Sequence, residues 1–123
     1  MPKTLLNNSK SLIWSHSGAN TLIEKIQKEA AKNGFGAKVV KLLQELRPLA
    51  LAEEDPLLTR SVRITYEFIE SMEGFDIPLP EEAEIEGDAA ELFDYLCGLW
   101  IKSDNKYNRD EIRELTDSMT NSY

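Results

Sequence analysis

The sequence is poor in the side chains that form cross-links and structural zinc sites. It has one cysteine, Cys97, and one histidine, His16, among 123 residues. A lone cysteine cannot form an internal disulfide, which indicates a reducing compartment, and a structural zinc site needs several Cys or His ligands. These absences exclude a fold stabilised by internal disulfides or by structural zinc.

Long apolar runs are also missing. Residues 1–14 contain no apolar run of signal-peptide length, and no stretch approaches the ~18 apolar residues of a membrane span. We therefore expect a cytoplasmic protein that does not bind membranes.

Basic residues are absent from one long interval. Residues 64–101 carry eleven Asp or Glu and no Lys or Arg, whereas residues 1–63 carry ten Lys or Arg and six Asp or Glu. The whole chain has a formal net charge of −8. Because attachment to phosphates requires Lys or Arg, this distribution argues against nucleic acid as a partner.

Helical periodicity dominates from residue 19 onward. Apolar residues recur at spacings of three and four in five segments, which predicts amphipathic helices. The predicted buried faces are Ala19, Ile23, Ile26 and Ala30; Val39, Leu42, Leu43 and Leu46; Leu58, Val62, Ile69 and Met72; Ala89, Leu92, Phe93, Leu96, Cys97 and Trp100; and Ile112, Leu115 and Met119.

Glycine and proline predict where the first two helices end. Gly34 favours a stop to the first, because glycine adopts the left-handed conformation found at helix ends. Pro48 is predicted to kink or end the second, since proline lacks the amide that the helix needs. Residues 49–52 then form a short additional helix.

Capping residues mark two later helices. Asp55 followed by Pro56 predicts a helix start, and Gly74 predicts the exit of that helix. Asn108, with Glu111 three residues later, predicts a capped start for the last helix. No strand pair is evident. We predict one all-α domain over 1–123, a compact bundle or orthogonal array of five to six helices.

The two chain ends are predicted to be less regular than the rest. Residues 1–16 show no clear period, so we expect an extended or loosely ordered segment there, with a short strand or a helix start over residues 11–17 as the alternatives. Residues 120–123 are expected to fray.

The sequence contains few side chains of the kinds that act as nucleophiles or as catalytic bases. His16 lies between Ser15 and Ser17, but neighbours in sequence do not form a triad, because each group must be oriented separately. Cys97 falls on an apolar helix face, where cysteine acts as a small hydrophobe. We therefore predict a protein that is not an enzyme and binds no cofactor. An enzyme that depends on carboxylates alone is a further alternative.

The acidic stretches match calcium loops only in part. Residues 82–93 place Glu82, Glu84 and Glu86 at alternating positions, but Phe93 stands where an EF-hand requires a bidentate Glu. Residues 104–115 match a loop at Asp104 and Asn108 and fail at most other positions. Neither stretch is an EF-hand.

Residues 104–111 are similar to a second metal-associated pattern. Asp104 and Glu111 resemble the ends of the D-G-x-[IV]-x-x-x-E turn of TerB-like domains of the tellurite-resistance type, which are all-helical with proposed metal binding. For a metal- or ligand-binding domain, the weak candidate ligands are Asp104, Asn108 and Glu111, or the acids of residues 81–88. The glycine and the aliphatic residue of the pattern are replaced, and a helix cap explains the same residues. We do not assign the chain to this family.

The interval without Lys or Arg, residues 64–101, favours one functional hypothesis over the others. Uncompensated carboxylates attract a basic protein patch, although solvated helix ends would also explain them. We predict an adaptor, a regulatory subunit or an immunity-type inhibitor that binds a partner with a basic surface, or a homodimer; a small metal- or ligand-binding domain is the alternative. The candidate acidic surface consists of Glu81, Glu82, Glu84, Glu86 and Asp88. Trp14, Tyr66 and Trp100 are predicted interface anchors.

Overall fold

The computed structural model describes residues 17–75 and 88–121, and within these ranges the chain forms five α-helices and no strand. The helices are α1 (Ser17–Asn33), α2 (Ala37–Ala52), α3 (Pro56–Met72), α4 (Ala89–Ile101) and α5 (Lys106–Thr120). The predicted all-α class is thereby confirmed. The predictions for residues 1–16, including His16 and Trp14, lie outside the described residues.

The five helices form a closed ring of contacts. Helix α1 packs against α2, α2 against α3, α3 against α5, α5 against α4, and α4 against α1. The inner faces of all five contribute to one core. Helices packed around a single core are the expected solution for amphipathic segments of this length. None of the helices in the described ranges combines the length and apolar character needed to cross a bilayer.

Helix α2 differs from the prediction at Pro48. The helix does not end there but continues as one element to Ala52, so residues 49–52 are not a separate helix. Leu46 and Ala50 on either side of the proline are completely buried. The burial of these neighbours outweighs the missing amide hydrogen bond, so the predicted end at Pro48 was wrong, whereas the predicted kink stays a prediction. Gly34 ends α1 as predicted, with a φ of 81°.

The start of α3 matches the prediction and its end does not. Asp55 caps the helix by accepting a hydrogen bond from the Leu58 amide at 3.1 Å, and Pro56 is the first helical residue. At the other end Glu73, not Gly74, adopts the left-handed conformation, with a φ of 54°. Met72, expected on the buried face, is 46% exposed because the helix ends beside it.

Helix α5 begins three residues earlier than predicted. Asn105 is the cap, and its side-chain oxygen accepts a hydrogen bond from the Asn108 amide at 2.9 Å. Asn108 is therefore inside the first turn, and its side-chain amide donates to the Lys102 carbonyl instead. The reciprocal capping arrangement predicted for Asn108 and Glu111 was wrong, because an equally good cap lies one turn earlier.

An aromatic cluster fills one end of the ring of helices. It consists of Phe35, Phe68, Phe75 and Phe93. The centroid of the Phe75 ring lies 5.7 Å from that of Phe35, 5.9 Å from that of Phe68 and 5.2 Å from that of Phe93. These separations are typical of favourable aromatic pairs. The cluster joins the α1–α2 turn, the end of α3 and the start of α4.

The core also contains a buried polar node on three helices. The indole Nε1–H of Trp100 on α4 donates to Ser61 Oγ on α3 at 2.9 Å, and Thr116 Oγ1 on α5 lies 2.9 Å from the same oxygen. All three side chains are completely buried. Trp100 is thus a core residue, and its predicted role as an interface anchor was wrong. Tyr66 is only partly buried and packs against the core.

Candidate functional site

The structure describes one member of the candidate acidic surface. Asp88 is exposed and caps α4 in a reciprocal arrangement, accepting from the Glu91 amide at 3.0 Å while the Glu91 carboxylate accepts from the Asp88 amide at 3.4 Å. Carboxylates at a helix start are stabilised by the unpaired amides there. Glu81, Glu82, Glu84 and Glu86 lie outside the described residues.

Both flanks of the acidic surface are held at the same end of the protein. Phe75 precedes the acidic stretch and Phe93 follows it, and their rings are in edge-to-face contact. Glu73 lies two residues before Phe75 and Glu91 lies two residues before Phe93, and both carboxylates are exposed. The described flanks therefore bring carboxylates of α3 and α4 to the aromatic cluster.

A groove beside this end extends the negative charge onto α3. It has a volume of about 550 Å³ and is lined by Phe35 and Val40 as well as by the exposed Glu70 and Glu73. Lys41 lines the same groove. The charged residues that line this groove are therefore two carboxylates and one lysine.

The weak candidate metal ligands are used in other interactions. Asn108 donates to the Lys102 carbonyl at 2.8 Å, and Glu111 accepts a short hydrogen bond of 2.6 Å from the Tyr95 hydroxyl. Asp104 lies in the turn before α5. Across 17–75 and 88–121, no three His, Cys, Asp or Glu side chains are grouped as a metal site would require. The hydrogen bonds account for Asn108 and Glu111 without a bound ion.

Cys97 is completely buried on the inner face of α4. Burial, together with the negative charge of Asp94, raises the pKa of its thiol well above the usual value. The nucleophile of cysteine chemistry is the thiolate, so this environment disfavours a reactive Cys97.

A basic cleft lies at the end of α3 away from the aromatic cluster. It has a volume of about 630 Å³ and is formed where α2 turns into α3. Three arginines, Arg47, Arg60 and Arg63, line it; we call it the arginine cleft. Leu51 and Pro56 supply apolar surface, and Leu51 is 58% exposed.

The three guanidinium groups differ in their hydrogen bonds. Arg60 forms an ion pair of 3.1 Å with Asp117, and Arg63 forms one of 3.1 Å with Glu67; all four side chains are more than a third exposed. The Nε atom of Arg47, in contrast, is buried and meets no acceptor in the described part of the chain. Buried donors without a partner are uncommon in folded proteins, so this atom calls for an explanation.

The acids of the arginine cleft are Glu54 and Asp55. Both carboxylate oxygens of Asp55 accept from Arg109 on α5, at 2.9 and 3.0 Å. Asp55 is therefore committed to an ion pair inside the protein. Glu54 adopts a left-handed conformation with a φ of 57° in the turn.

The arginine cleft was not predicted from the sequence. Arg60 and Arg63 are three residues apart and share one side of α3, which is a visible pattern. Arg47 is thirteen residues upstream of Arg60, and only the turn between α2 and α3 brings it beside them. A helix predicted to end at Pro48 gives no reason to place Arg47 there.

Comparisons with known proteins supply no function for this chain. No protein-family model, no curated protein and no solved structure matches the chain.

Proposed function

We propose that this is a non-enzymatic helical protein of the cytoplasm that acts by binding another protein through its acidic surface. The partner carries a basic surface and is not a nucleic acid. The observation that carries the proposal is the contact between Phe75 and Phe93, with ring centroids 5.2 Å apart, which anchors both flanks of the acidic stretch at one place. The sequence between these two phenylalanines carries seven carboxylates and no Lys or Arg, and its two flanks meet at one end of the protein.

Electrostatics favours a protein partner for such an end. Exposed charges act over about 8 Å at physiological salt, so carboxylates gathered at one place reinforce one another's field. A field of this kind raises the association rate of a partner with a basic patch and disfavours acidic partners. Binding should consequently weaken as salt is added.

The environment of the described reactive groups supports a role without catalysis. Burial disfavours the thiolate of Cys97, and the Asp55 carboxylate is held by Arg109. A general acid or base must be free to reach a substrate proton. Neither group meets that requirement.

The test is affinity capture with matched charge variants. Tagged wild-type protein and the variant E81Q/E82Q/E84Q/E86Q are used to capture proteins from the source lysate, at low and moderate salt. The control is E24Q/E45Q/D104N/E114Q, which removes the same charge from exposed positions outside the acidic stretch and the groove lining. We expect proteins that bind the wild type and the control and are lost with the acidic-surface variant. Capture of the same proteins by all three chains, or of none, would contradict the proposal.

A further inference from the structure

We propose that two copies of this chain associate through α4, and that the two α4 helices cross at Gly98 as an antiparallel pair related by a two-fold axis. This inference goes beyond the proposed function, because it concerns a different surface and a different partner. It rests on Gly98 and on four residues around it on α4 and directly after it. These are Asp94, Tyr95, Ile101 and Lys102, and we call all five residues the crossing face.

Packing within the chain gives no reason for a glycine at position 98. Apart from its chain neighbours and the backbone of its own helix, a Cβ built there meets no heavy atom of the described residues within 4 Å. Glycine inside a helix is less favourable than alanine. Its missing side chain, however, lets another backbone approach closely. Gly98 is partly exposed, so a second helix can reach it.

The neighbours of Gly98 form a pattern that is complementary to itself. Asp94 and Lys102 are exposed and stand four residues before and four residues after Gly98. Tyr95 and Ile101 stand three residues before and three after it; Tyr95 is 38% exposed and Ile101 is partly exposed. Residues three and four apart are neighbours on a helix surface. Opposite charges and large side chains are therefore placed symmetrically about the glycine.

A two-fold axis at Gly98 pairs each of these residues with a suitable counterpart. In an antiparallel crossing, a residue before the axis in one copy meets the residue equally far after it in the other. Asp94 of each copy then meets Lys102 of the other copy, and Tyr95 likewise meets Ile101. A symmetric interface requires a surface that is complementary to itself in this way. The row from Asp94 through Gly98 to Lys102 is also the four-residue ridge used in the commonest class of helix pairs.

The two charged side chains are available for this contact. Neither Asp94 nor Lys102 forms an ion pair within the described part of the chain. Their backbone carbonyls are held, since that of Asp94 accepts from Gln27 and that of Lys102 accepts from Asn108. The positions are thus fixed while the charges point to no partner among these residues.

Hydrogen bonding from α5 fixes the orientation of Tyr95. Its hydroxyl donates to the Glu111 carboxylate at 2.6 Å. An aromatic side chain that is already oriented loses little freedom on binding, and tyrosine is enriched among residues that dominate interfaces. Tyr107, one turn before Glu111 on α5, is 72% exposed and extends the surface on this side. Because the contact is essentially one helix wide, we expect a dimer that depends on protein concentration.

The dimer would carry two acidic surfaces. Asp88, the described member of that surface, lies ten residues before Gly98, which is about 15 Å along α4. In an antiparallel pair the two Asp88 residues lie in opposite directions from the axis, up to about 30 Å apart. An assembly of this kind binds a partner with repeated basic patches more tightly than one copy does.

Sedimentation velocity of the full chain, up to about 1 mM protein, tests the association. We expect a dimer fraction that rises with concentration. The variant G98L places a branched side chain at the crossing and should weaken the dimer at least about tenfold. The control S71L adds the same side chain at an exposed position on α3 and should dimerise like the wild type.

The variant G98A establishes that position 98 tolerates a side chain. Alanine is the better helix former, so the monomer at low concentration should melt about 3–6 °C higher than the wild type. Loss of the dimer in G98L then comes from the contact and not from misfolding. A lower melting temperature for G98A would show that the space is occupied and would overturn the inference.

A charge exchange tests the antiparallel pairing. The variants D94K and K102D should each dimerise at least about tenfold more weakly, because each places like charges together twice. The double variant D94K/K102D restores opposite charges and should dimerise like the wild type. A mixture of D94K and K102D should form a heterodimer for the same reason.

The outcomes separate this inference from the proposed function. A chain that stays monomeric up to about 1 mM, or a dimer that G98L and the single charge variants leave intact, overturns the inference. Neither result affects the proposed function, whose test depends on the acidic-surface variant. If a monomeric chain captures another protein and G98L abolishes that capture, the crossing face binds a different protein and the second-copy inference is wrong.

Discussion

Arg109 and Asp55, separated by 54 residues in sequence, form a two-pronged ion pair that joins the start of α5 to the start of α3. The same guanidinium also donates to the Ser103 carbonyl at 3.0 Å. Asp55 in turn caps α3. One carboxylate thus serves both a helix end and a contact between helices.

Loss of the Asp55 charge should destabilise the protein. D55N keeps a good helix cap but leaves the partly buried guanidinium of Arg109 without its counter-charge, so we expect a loss of about 2 kcal/mol in the free energy of unfolding, discounted for the exposure of Arg109. D55A should lose about 1 kcal/mol more because it also removes the cap. Urea unfolding measures both. Equal losses in the two variants would contradict the separate contribution of the cap.

The same residue should make stability depend on pH. Burial favours the neutral form of Asp55, but hydrogen bonds from Arg109 and from the Leu58 amide outweigh it and lower its pKa below the usual value. A lowered pKa adds stability above the unfolded-state value of about 3.9, and this stability is lost as pH falls through the folded-state value.

Unfolding of the wild type and D55N should therefore converge as the solution is acidified below about pH 4. The pKa values of Glu29 and Asp110 are also lowered, by hydrogen bonds led by Asn33 and Lys106, respectively. Both groups are present in each protein and cancel in the comparison. A stability difference that stays constant from neutral to acidic pH would refute the assignment to Asp55.

Removal of the shared acceptor in the core should be costly. S61A deletes the oxygen that accepts from the Trp100 indole, and a buried donor that loses its acceptor costs about 1–3 kcal/mol. Thr116 can turn its hydroxyl to its own helix, so the cost falls mainly on Trp100. The matched control is S71A, an exposed serine on the same helix, which should change stability by less than about 0.5 kcal/mol. Similar values for the two variants would show that the node contributes little.

Replacement of Pro48 should stabilise α2. P48A restores an amide at an interior helical position, where proline costs about 3 kcal/mol relative to alanine. The unfolded chain gains freedom at the same time, which offsets roughly 1 kcal/mol. We expect a net gain of about 1–2 kcal/mol in thermal and urea unfolding, and almost none for E45A on the exposed side of the same helix. A P48A variant less stable than the wild type would mean that packing of the proline side chain contributes more stability than the missing amide costs.

The thiol of Cys97 should be protected in the folded protein. Burial raises its pKa and blocks access, so a thiol-specific reagent should react only as the protein unfolds. The control is S71C, which adds an exposed thiol and should react at once under native conditions. The rate of thiol modification, measured by absorbance, should rise with urea for Cys97 and should already be fast without urea for the thiol added by S71C. Rapid modification without urea would show that α4 opens readily.

The sequence predicted the helix faces well because burial repeats with a fixed period. Ile23 and Ile26 on α1, like Ile112 and Leu115 on α5, are buried as their spacing indicates. The helix ends were harder, because a boundary depends on competition between neighbouring residues. Asn105 and Asn108 are equally suitable caps, and the hydrogen bond from Asn108 to the Lys102 carbonyl is visible only in three dimensions.

The site was predicted less completely than the fold. A run of carboxylates can be counted in the sequence, but the contact of Phe75 with Phe93 that anchors its flanks cannot. The arginine cleft depends on Arg47 of α2 and Arg60 of α3 lining the same space across the turn between the two helices. This arrangement follows from the continuation of α2 past Pro48, which the tertiary structure decides.

The ring of helices also has a consequence for synthesis of the chain. The contacts run from α1 through α2 and α3 to α5 and then to α4, so α4 fills the gap between the first helix and the last. While the ribosome is still making residues 88–121, α1 lacks its contact with α4 and α3 lacks its contact with α5. Translation that stops early would release an intermediate with exposed apolar surface, which is prone to aggregate. A chain that has formed only α1 to α3 therefore lacks two sides of its core until both later helices have been made.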